Sequence, residues 1–286
     1  MKRKRKRKTI GPLPILVVIA AVLFVTILIL DKPQETPDPV EIVESPETTA
    51  TTVPTTPYIP LSTPEEKLEY FAKKYNLPPD AWSEDMIALM KRNPDAERFV
   101  LNYPLQKGTS QETDLSGLVG TGEVPKLYQW DARWGYTQYG DKEMGLTGCG
   151  PTCLSMVCLF FLEDAKYTPR YVADFAQDND YYADGFGTKW TLMSEGAQTL
   201  GLDVEVSYVE KDWVLSNLEA GHLIIVSMSP GSVFSPNGHY VLLAGQENGR
   251  IRVHDPNSPT NTEKLWEAED FLADVSNIWI FSLPEE

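Results

Sequence analysis

The chain begins with a block of basic residues that is followed by a long apolar run. Residues 2–8 carry seven positive charges, and residues 12–30 contain no ionisable side chain. About 20 apolar residues suffice for a helix that crosses a bilayer, and a basic flank stays on the cytoplasmic side. No small-residue cleavage site follows, as it would in a signal peptide. We therefore predict a cytoplasmic segment over 1–11 and an uncleaved transmembrane anchor over 12–30. This places the protein in the cell membrane, with the rest of the chain outside.

The stretch that follows the apolar run has the composition of a linker. Residues 31–63 are rich in Pro, Thr and Glu and contain few side chains that could form a core, which predicts disorder. A Pro-rich tract rises about 3 Å per residue, so this linker could hold a domain on the order of 100 Å from the membrane.

The charge balance excludes one class of partner. The formal net charge is −16, and setting aside the seven positive charges of residues 2–8 leaves about −23 on the remainder. Because nucleic acid phosphates would be repelled by such a surface, we do not expect nucleic acid as a partner.

Residues 64–107 predict a small helical segment. The pattern "STPEEKLEYFAKKYN" has capping residues, an early Pro, acids in the first turn and lysines in the last, which are helix start and stop signals. Two shorter helical patterns follow in "SEDMIALMKRN" and "PDAERFVLNYP". Residues 108–123 are rich in Gly, Ser and Thr and predict a second linker.

The remainder, residues 124–286, has the length of one domain. A helix is expected after Cys149, with further helical patterns over 168–177 and 189–200. The β-branched runs "DVEVSYV", "HLIIVSM", "HYVLLAG" and "RIRVHD" come later in the chain. Helices first and strands later predict an α+β domain.

Three cysteines lie within the segment "GCGPTCLSMVC", and an odd number cannot all pair internally. Cys153 and Cys158 have apolar neighbours and are interpreted as small core residues. A disulfide between Cys149 and Cys153 across one helical turn is the alternative. Cys149 differs because two glycines clear space around it, and the start of a helix favours its thiolate form. Cys149 is therefore the candidate nucleophile.

A nucleophilic cysteine needs a base, and the sequence offers three histidines. His239 stands between the loop "SPNG" and the buried strand "YVLLAG", where an imidazole can be oriented over a nucleophile. Asp255 ends the next strand and could hold the imidazole tautomer. For His222 we expect a solvated position at a turn, and for His254 a position within a strand facing either way.

The hairpin that joins these two strands around "QENG" provides a test by parity. A two-residue Asn248-Gly249 loop would pair residue 242 with 255 and put His239 on the opposite face from Asp255. A three-residue loop with Gly249 bulged would pair 241 with 255 and put both side chains on one face. If the two residues act together, we expect the loop to be odd-numbered or bulged.

Acyl transfer also needs donors for the oxyanion. Gln129, in "LYQWDARWG", is a neutral amide twenty positions before Cys149. Together with the backbone N–H of Cys149, it could form a two-donor oxyanion hole.

Five segments together carry a family resemblance: "YQWDARWG", "GCGPTCLSMV", "GTKW", "NGHYVLLAG" and "RVHDPN". In this order they resemble the papain-fold cysteine peptidases that remove double-glycine leaders from bacteriocins, in particular the stand-alone branch found on bacterial cell surfaces. The resemblance implies a papain-like fold. It also implies Cys149 as nucleophile, His239 as general base and acid, Asp255 as orienting residue and Gln129 as oxyanion donor. The sequence lacks the G-x-x-x-x-G-K-[ST] loop of the ATP-binding domain to which leader-cleaving members are fused.

The sequence therefore predicts a membrane-anchored extracellular cysteine peptidase that acts on a peptide or protein, with cell-wall peptide as one possible substrate. No metal or cofactor is expected, since the histidines and cysteines lack the paired spacing of a zinc site. Two alternatives stay open. One is a cell-wall peptide amidase or transpeptidase that uses the same residues, and the other is a catalytically silent peptide-binding module.

Overall fold

The computed structural model describes residues 62–284. The predicted cytoplasmic segment, the transmembrane anchor over 12–30 and nearly all of the linker over 31–63 lie outside the described residues. Within 62–284, no helix is both long and apolar enough to cross a membrane.

The described chain opens with three helices: α1 (Pro64–Tyr75), α2 (Glu84–Arg92) and α3 (Glu97–Gln106). Thr63 begins α1 with a capping box, because its hydroxyl accepts from the Glu66 N–H and the Glu66 carboxylate accepts from the Thr63 N–H. Ser83 caps α2 in the ordinary way, through its hydroxyl. Asn93 ends α2 and caps the short 3-10 helix Pro94–Ala96 that leads into α3.

The rest of the described chain contains seven further helices and ten strands. The helices are α4 (Met144–Thr147), α5 (Cys149–Leu162), α6 (Pro169–Asp178), α7 (Glu195–Thr199), α8 (Lys211–Glu219), α9 (Pro259–Thr262) and α10 (Ala268–Leu272), with 3-10 turns at Ser116–Leu118 and Trp190–Leu192. The strands are β1 (Gln138–Tyr139), β2 (Lys142–Glu143), β3 (Tyr182–Ala183), β4 (Gly187–Thr188), β5 (Asp203–Ser207), β6 (Leu223–Met228), β7 (His239–Glu247), β8 (Arg250–His254), β9 (Leu265–Glu267) and β10 (Val275–Ser282).

Six of the strands form one antiparallel sheet in the order β5-β10-β6-β7-β8-β9. One face, with Ile225 and Leu242, packs in one core cluster with the apolar residues of α5. The other face, with Val226 and Val241, packs with residues of α8 and α10. Because both faces are covered, the central strands are apolar on both sides. The predicted α+β class is confirmed.

Several elements of this domain do not follow from the sequence interpretation. Among them, strand β10 lies between β5 and β6, one strand in from the edge of the sheet, and α8 covers one face. The run "VSNIWIFS" is rich in β-branched and aromatic residues, so a strand signal was present at β10.

The three N-terminal helices pack against the domain that follows. Phe99 of α3 stacks on Tyr136 with ring centroids 4.6 Å apart, and the Tyr136 hydroxyl donates to the Phe99 carbonyl. The hydroxyl of Tyr103 donates to Glu143 at 2.6 Å. Residues 108–123, for which the sequence predicts a linker, bury Leu115 in the core beside α5. The helical segment and the domain therefore share a packed apolar cluster, to which the domain contributes Tyr136, Trp130 and Leu146.

The hairpin between β7 and β8 combines a regular turn with an irregular strand. Glu247 pairs with Arg250 across a two-residue Asn248-Gly249 loop, and both loop residues have positive φ, at 53° and 78°. Such a turn matches the twist of a two-residue hairpin. The register then shifts between Leu243 and Gly245, so that Leu242 pairs with His254.

The extra residue of this hairpin is therefore Ala244, within β7. The expectation of a bulge at Gly249 is wrong in position, because the turn itself is regular. The register beyond the shift, continued by one pair, sets 241 opposite 255, which is the pairing that puts His239 and Asp255 on one face.

Gly145 offers a test of the packing between the helical segment and the domain. A Cβ added at this position would lie 2.3 Å from the Phe99 ring. We expect Gly145→Ala to lower the free energy of unfolding by about 1–3 kcal/mol, as overpacking of a filled interior does. Chemical denaturation measures the change. Gly117→Ala is the matched control, because a Cβ there meets nothing within 4 Å. Equal stability of the two variants would contradict this packing.

Candidate functional site

Cys149 is the first residue of α5, where the unpaired N–H groups of the helix create partial positive charge. Its side chain is half-buried, and the backbone N–H groups of Tyr240 and Gly150 lower the pKa of the thiol. Each of these donors favours a negative charge on the sulfur. The fold thus prepares an anionic sulfur at this helix start.

His239 lies at the first position of β7 and contacts both the thiol and a carboxylate. Its Nε2 is 2.8 Å from Oδ1 of Asp255, and the imidazole lies beside Cys149, where each group shifts the pKa of the other. Since Nε2 is engaged by the carboxylate, Nδ1 is the ring nitrogen left for the thiol. Both partners of the pair are buried, with 7% of His239 and 1% of Asp255 exposed. The structure brings the three predicted residues together, with the imidazole of His239 between the thiol of Cys149 and the carboxylate of Asp255.

The electrostatics of this chain favour an ion pair. Burial raises the pKa of the Cys149 thiol. The imidazole of His239 and the backbone donors lower this pKa by a larger amount, so the net shift is downward. Burial also lowers the pKa of His239, while the charge and hydrogen bond of Asp255, with Cys149, raise it to about 10. The downward shift of the thiol pKa and the upward shift of the imidazole pKa both favour the thiolate–imidazolium pair over the neutral pair.

The Asp255 carboxylate is held by donors other than the histidine. The backbone N–H of Asn257 donates to Oδ1 at 2.8 Å, and Nδ2 of Asn261 donates to Oδ2 at 2.8 Å. The backbone N–H of Asp255 donates to the Thr262 hydroxyl at 3.0 Å. The sequence interpretation missed these three partners. The run "DPNSPTNT" holds a signal for them, since Asp, Asn and Ser typically bond to backbone groups two or three residues away.

Gln129 connects the two sides of the site. Its Nε2 donates to the carbonyl of Gly145 at 2.9 Å, and its backbone N–H donates to the carbonyl of Pro256 at 2.7 Å. Gly145 precedes the nucleophile by four residues, and Pro256 follows Asp255. The side chain is only 3% exposed, and its Oε1 has no hydrogen-bond partner. The Gly145 carbonyl fixes the orientation of the amide, because the reverse orientation would bring two acceptors together.

Thr188 closes one side of the space around the nucleophile. A Cβ on Gly150 would lie 2.7 Å from the Thr188 hydroxyl oxygen, so only glycine fits there. The Thr188 hydroxyl shares a hydrogen bond of 2.9 Å with Tyr139, and its carbonyl accepts from the Tyr240 hydroxyl at 3.1 Å. Thr188 of the segment "GTKW" therefore packs closely against the start of α5.

The remaining cysteines and histidines have other environments. All three cysteines are unpaired, so the alternative disulfide between Cys149 and Cys153 is absent. Burial raises the pKa of the Cys153 and Cys158 thiols, as expected for core residues. His222 bonds through Nδ1 to the Asn217 side chain at 2.8 Å. Burial lowers the pKa of His254 to about 4, and the neutral ring donates from Nδ1 to the Pro125 carbonyl at 2.9 Å.

The reactivity of Cys149 provides a test of the ion pair. We expect iodoacetamide to alkylate Cys149 with a midpoint below the pKa of about 8.5 of a free cysteine. In His239→Ala the factors from the imidazole that lower the thiol pKa are gone while burial remains, so the midpoint should move to higher pH. The measurement is the alkylation rate against pH, with the modified residue mapped by mass spectrometry.

The matched control for this experiment is His222→Ala, which removes an imidazole from another part of the fold. Its alkylation profile should coincide with that of the unmodified protein. Coincidence of the His239→Ala profile with the unmodified one would show that the imidazole does not act on the thiol.

Comparisons with known proteins agree with the motif resemblance. The model of the Peptidase_C39 like family matches residues 121–281, more than half of the chain. One matching solved structure is the peptidase domain of Streptococcus ComA, a bi-functional ABC transporter involved in a quorum sensing pathway. It is 19% identical with a TM-score of 0.39, and the match covers 52% of this chain and 100% of that domain. Another is a C39-like peptidase from Bacillus anthracis, which is 14% identical with a TM-score of 0.35, over 59% of this chain and 98% of that one.

No curated protein sequence matches the chain. The family match, which spans Cys149, His239, Asp255 and Gln129, confirms the predicted membership: the chain belongs to the Peptidase_C39 like family.

Proposed function

We propose that this protein is a cysteine peptidase that cleaves peptide bonds through Cys149, His239 and Asp255. The observation that supports the proposal is the position of the His239 imidazole, which lies beside the Cys149 thiol and 2.8 Å from a buried carboxylate. A nucleophile in contact with a base, and a base oriented by a third group, is the arrangement that covalent catalysis requires. The family to which the chain belongs adds independent support.

The first half of the proposed reaction forms an acyl-enzyme. The Cys149 thiolate attacks the carbonyl carbon of the scissile peptide bond, and the carbonyl oxygen becomes an oxyanion. The His239 imidazolium gives the proton at Nδ1 to the leaving amine, so that the C–N bond breaks with a neutral amine as product. Asp255 stays ionised and keeps Nε2 protonated throughout.

In the second half, the neutral imidazole of His239 takes a proton from water as the water attacks the thioester. A second tetrahedral intermediate collapses, the carbon–sulfur bond breaks, and the carboxylic acid product leaves. The thiolate and the imidazolium are then restored.

The oxyanion in both halves needs donors that are in place before the reaction. The backbone N–H of Cys149 lies at the helix start, and the Gln129 amide has a second N–H besides the one bound to Gly145. Among the described residues this second N–H has no acceptor. A fixed donor of this kind stabilises the transition state without reorganisation at the moment of reaction.

The proposal includes a location. The basic block at 2–8 and the uncharged run at 12–30 would hold the chain in the cell membrane with the catalytic domain outside. The Pro- and Thr-rich stretch over 31–63 would separate the domain from the bilayer. A substrate outside the cell, either a protein or a cell-wall peptide, fits this arrangement.

Cys149→Ala tests the proposed function. Removal of the nucleophile should lower the rate of peptide hydrolysis by a factor on the order of 10⁴ or more, since the base cannot act alone. Hydrolysis of a peptide library, followed by mass spectrometry, measures the loss and identifies the cleaved bonds. Cys158→Ala removes a thiol from the core instead and should retain activity. Undiminished hydrolysis by the Cys149→Ala protein would rule out a cysteine peptidase.

The oxyanion role of the amide is tested by Gln129→Ala. Loss of one oxyanion donor lowers kcat by about 10²–10³-fold, and we expect KM to change little because the donor acts on the transition state. Steady-state kinetics on a cleaved peptide separate the two constants. Gln138→Ala is the matched control, since the exposed Gln138 amide likewise donates to a backbone carbonyl, that of Gly140, at 2.9 Å. An equal decrease in both variants would argue against an oxyanion donor at Gln129.

A further inference from the structure

The three-helix segment, α1 to α3, lies before the region that the family model matches, yet one of its residues reaches the loop that begins at Asp255 (residues 255–262, here called the acid loop). Asn93, between α2 and α3, is only 6% exposed. Its Nδ2 donates to the backbone carbonyl of Asn257 and lies 3.4 Å from Oδ1 of the same residue. A buried amide donor of this kind is costly unless it is bonded, so the contact fixes the carbonyl that it meets.

Asn257 connects Asn93 with the proposed catalytic residues through its carbonyl and its N–H. Its carbonyl also accepts from Nε1 of Trp130 at 2.9 Å. Its backbone N–H donates to Oδ1 of Asp255 at 2.8 Å, and the same oxygen faces Nε2 of His239 at 2.8 Å. Three hydrogen bonds in series thus lead from Asn93 to the imidazole, through one residue and one carboxylate.

A second contact holds the other side of the same loop. The Thr260 hydroxyl, in α9, donates to Oδ2 of Asp95 at 3.1 Å. Asp95 belongs to the 3-10 helix capped by Asn93, whose Oδ1 accepts from the Asp95 N–H at 3.2 Å. The neighbouring Asn261 donates to the second oxygen of Asp255. The N-terminal segment therefore contacts the acid loop at two points, Asn257 and Thr260.

We propose that Asn93 is a positioning residue for Asp255, and that the segment over 62–107 is part of the catalytic unit. The proposal rests on the catalytic role assigned above to Cys149, His239 and Asp255. Asp255 raises the imidazole pKa by its charge and its hydrogen bond, and both depend on the short contact to Nε2. If the loop loosens, this contact lengthens, the imidazolium weakens, and the thiolate loses the cation beside it.

Asn93→Ser is the decisive variant. Serine retains the capping oxygen that the 3-10 helix needs, but its side chain is too short to reach Asn257. We expect kcat for peptide hydrolysis to decrease about 10-fold with KM little changed, since a misplacement of about 1 Å costs up to 10²-fold.

Two pH-dependent measurements on the full chain separate positioning from general loosening. The alkylation midpoint of Cys149 should move to higher pH, by about half a unit, because the imidazolium that lowers the thiol pKa is weaker. The alkaline limb of hydrolysis, set by the His239 pKa of about 10, should move to lower pH. Lower stability alone would shift neither value.

Ser83→Ala is the matched control. It removes the cap of α2 in the same segment, where the Ser83 hydroxyl accepts from the Met86 N–H at 3.3 Å, without contact to the acid loop. It should lower the free energy of unfolding by about 1 kcal/mol and leave both pH profiles unchanged. If Ser83→Ala shifts the profiles as Asn93→Ser does, the positioning role is wrong.

Trp130→Phe is the second variant, and it decides the question if Asn93→Ser does not fold. It removes the other donor to the Asn257 carbonyl and retains an aromatic ring against Tyr128. A shift of the alkylation midpoint in the same direction supports the proposal, and folded variants with the unmodified profile overturn it. The alkylation readout needs no substrate. Failure of the peptidase proposal would appear separately, as hydrolysis that survives Cys149→Ala.

Discussion

The contact between His239 and Asp255 is the interaction on which the rest of the site depends. An imidazolium buried to this degree would be costly on its own, because the interior solvates charge poorly. The carboxylate at 2.8 Å offsets that cost and moves the pKa of the histidine upward. The charged imidazole in turn stabilises a thiolate whose burial would otherwise keep it protonated. The pair formed by His239 and Asp255 therefore favours the thiolate form of Cys149.

The surrounding fold keeps that carboxylate in place. Asp255 lies just beyond the end of β8, where no sheet ladder restrains it. Its restraint comes from the turn that follows, through the Asn257 N–H and the Asn261 amide, and from the N-terminal segment through Asn93. The helix start and the sheet provide the reacting groups, whereas loops provide their alignment. The position of the Asp255 carboxylate therefore depends on the loop after β8 and on the N-terminal segment together.

Sequence reasoning singled out the residues that the structure brings together because each has a local signature. Cys149 stands between glycines at a helix start, and His239 and Asp255 stand at the ends of neighbouring strands. It did not reach partners that meet only in three dimensions. Asn93 and Asn257 are 164 residues apart, and no local pattern relates them. The position of β10 between β5 and β6 was missed for the same reason, since strand order depends on packing over the whole sheet.

The register shift at Ala244 has a consequence for how the hairpin can vary. With the odd residue inside β7, the Asn248-Gly249 turn at the far end is free to keep the geometry that suits a tight reversal. Side chains alternate along a strand, so deleting Ala244 would send the imidazole to the opposite surface of the sheet, away from its carboxylate. A small apolar residue thus decides whether the side chains of His239 and Asp255 lie on the same face of the sheet. Changes of one residue in length are harmless to this hairpin only when they come in compensating pairs.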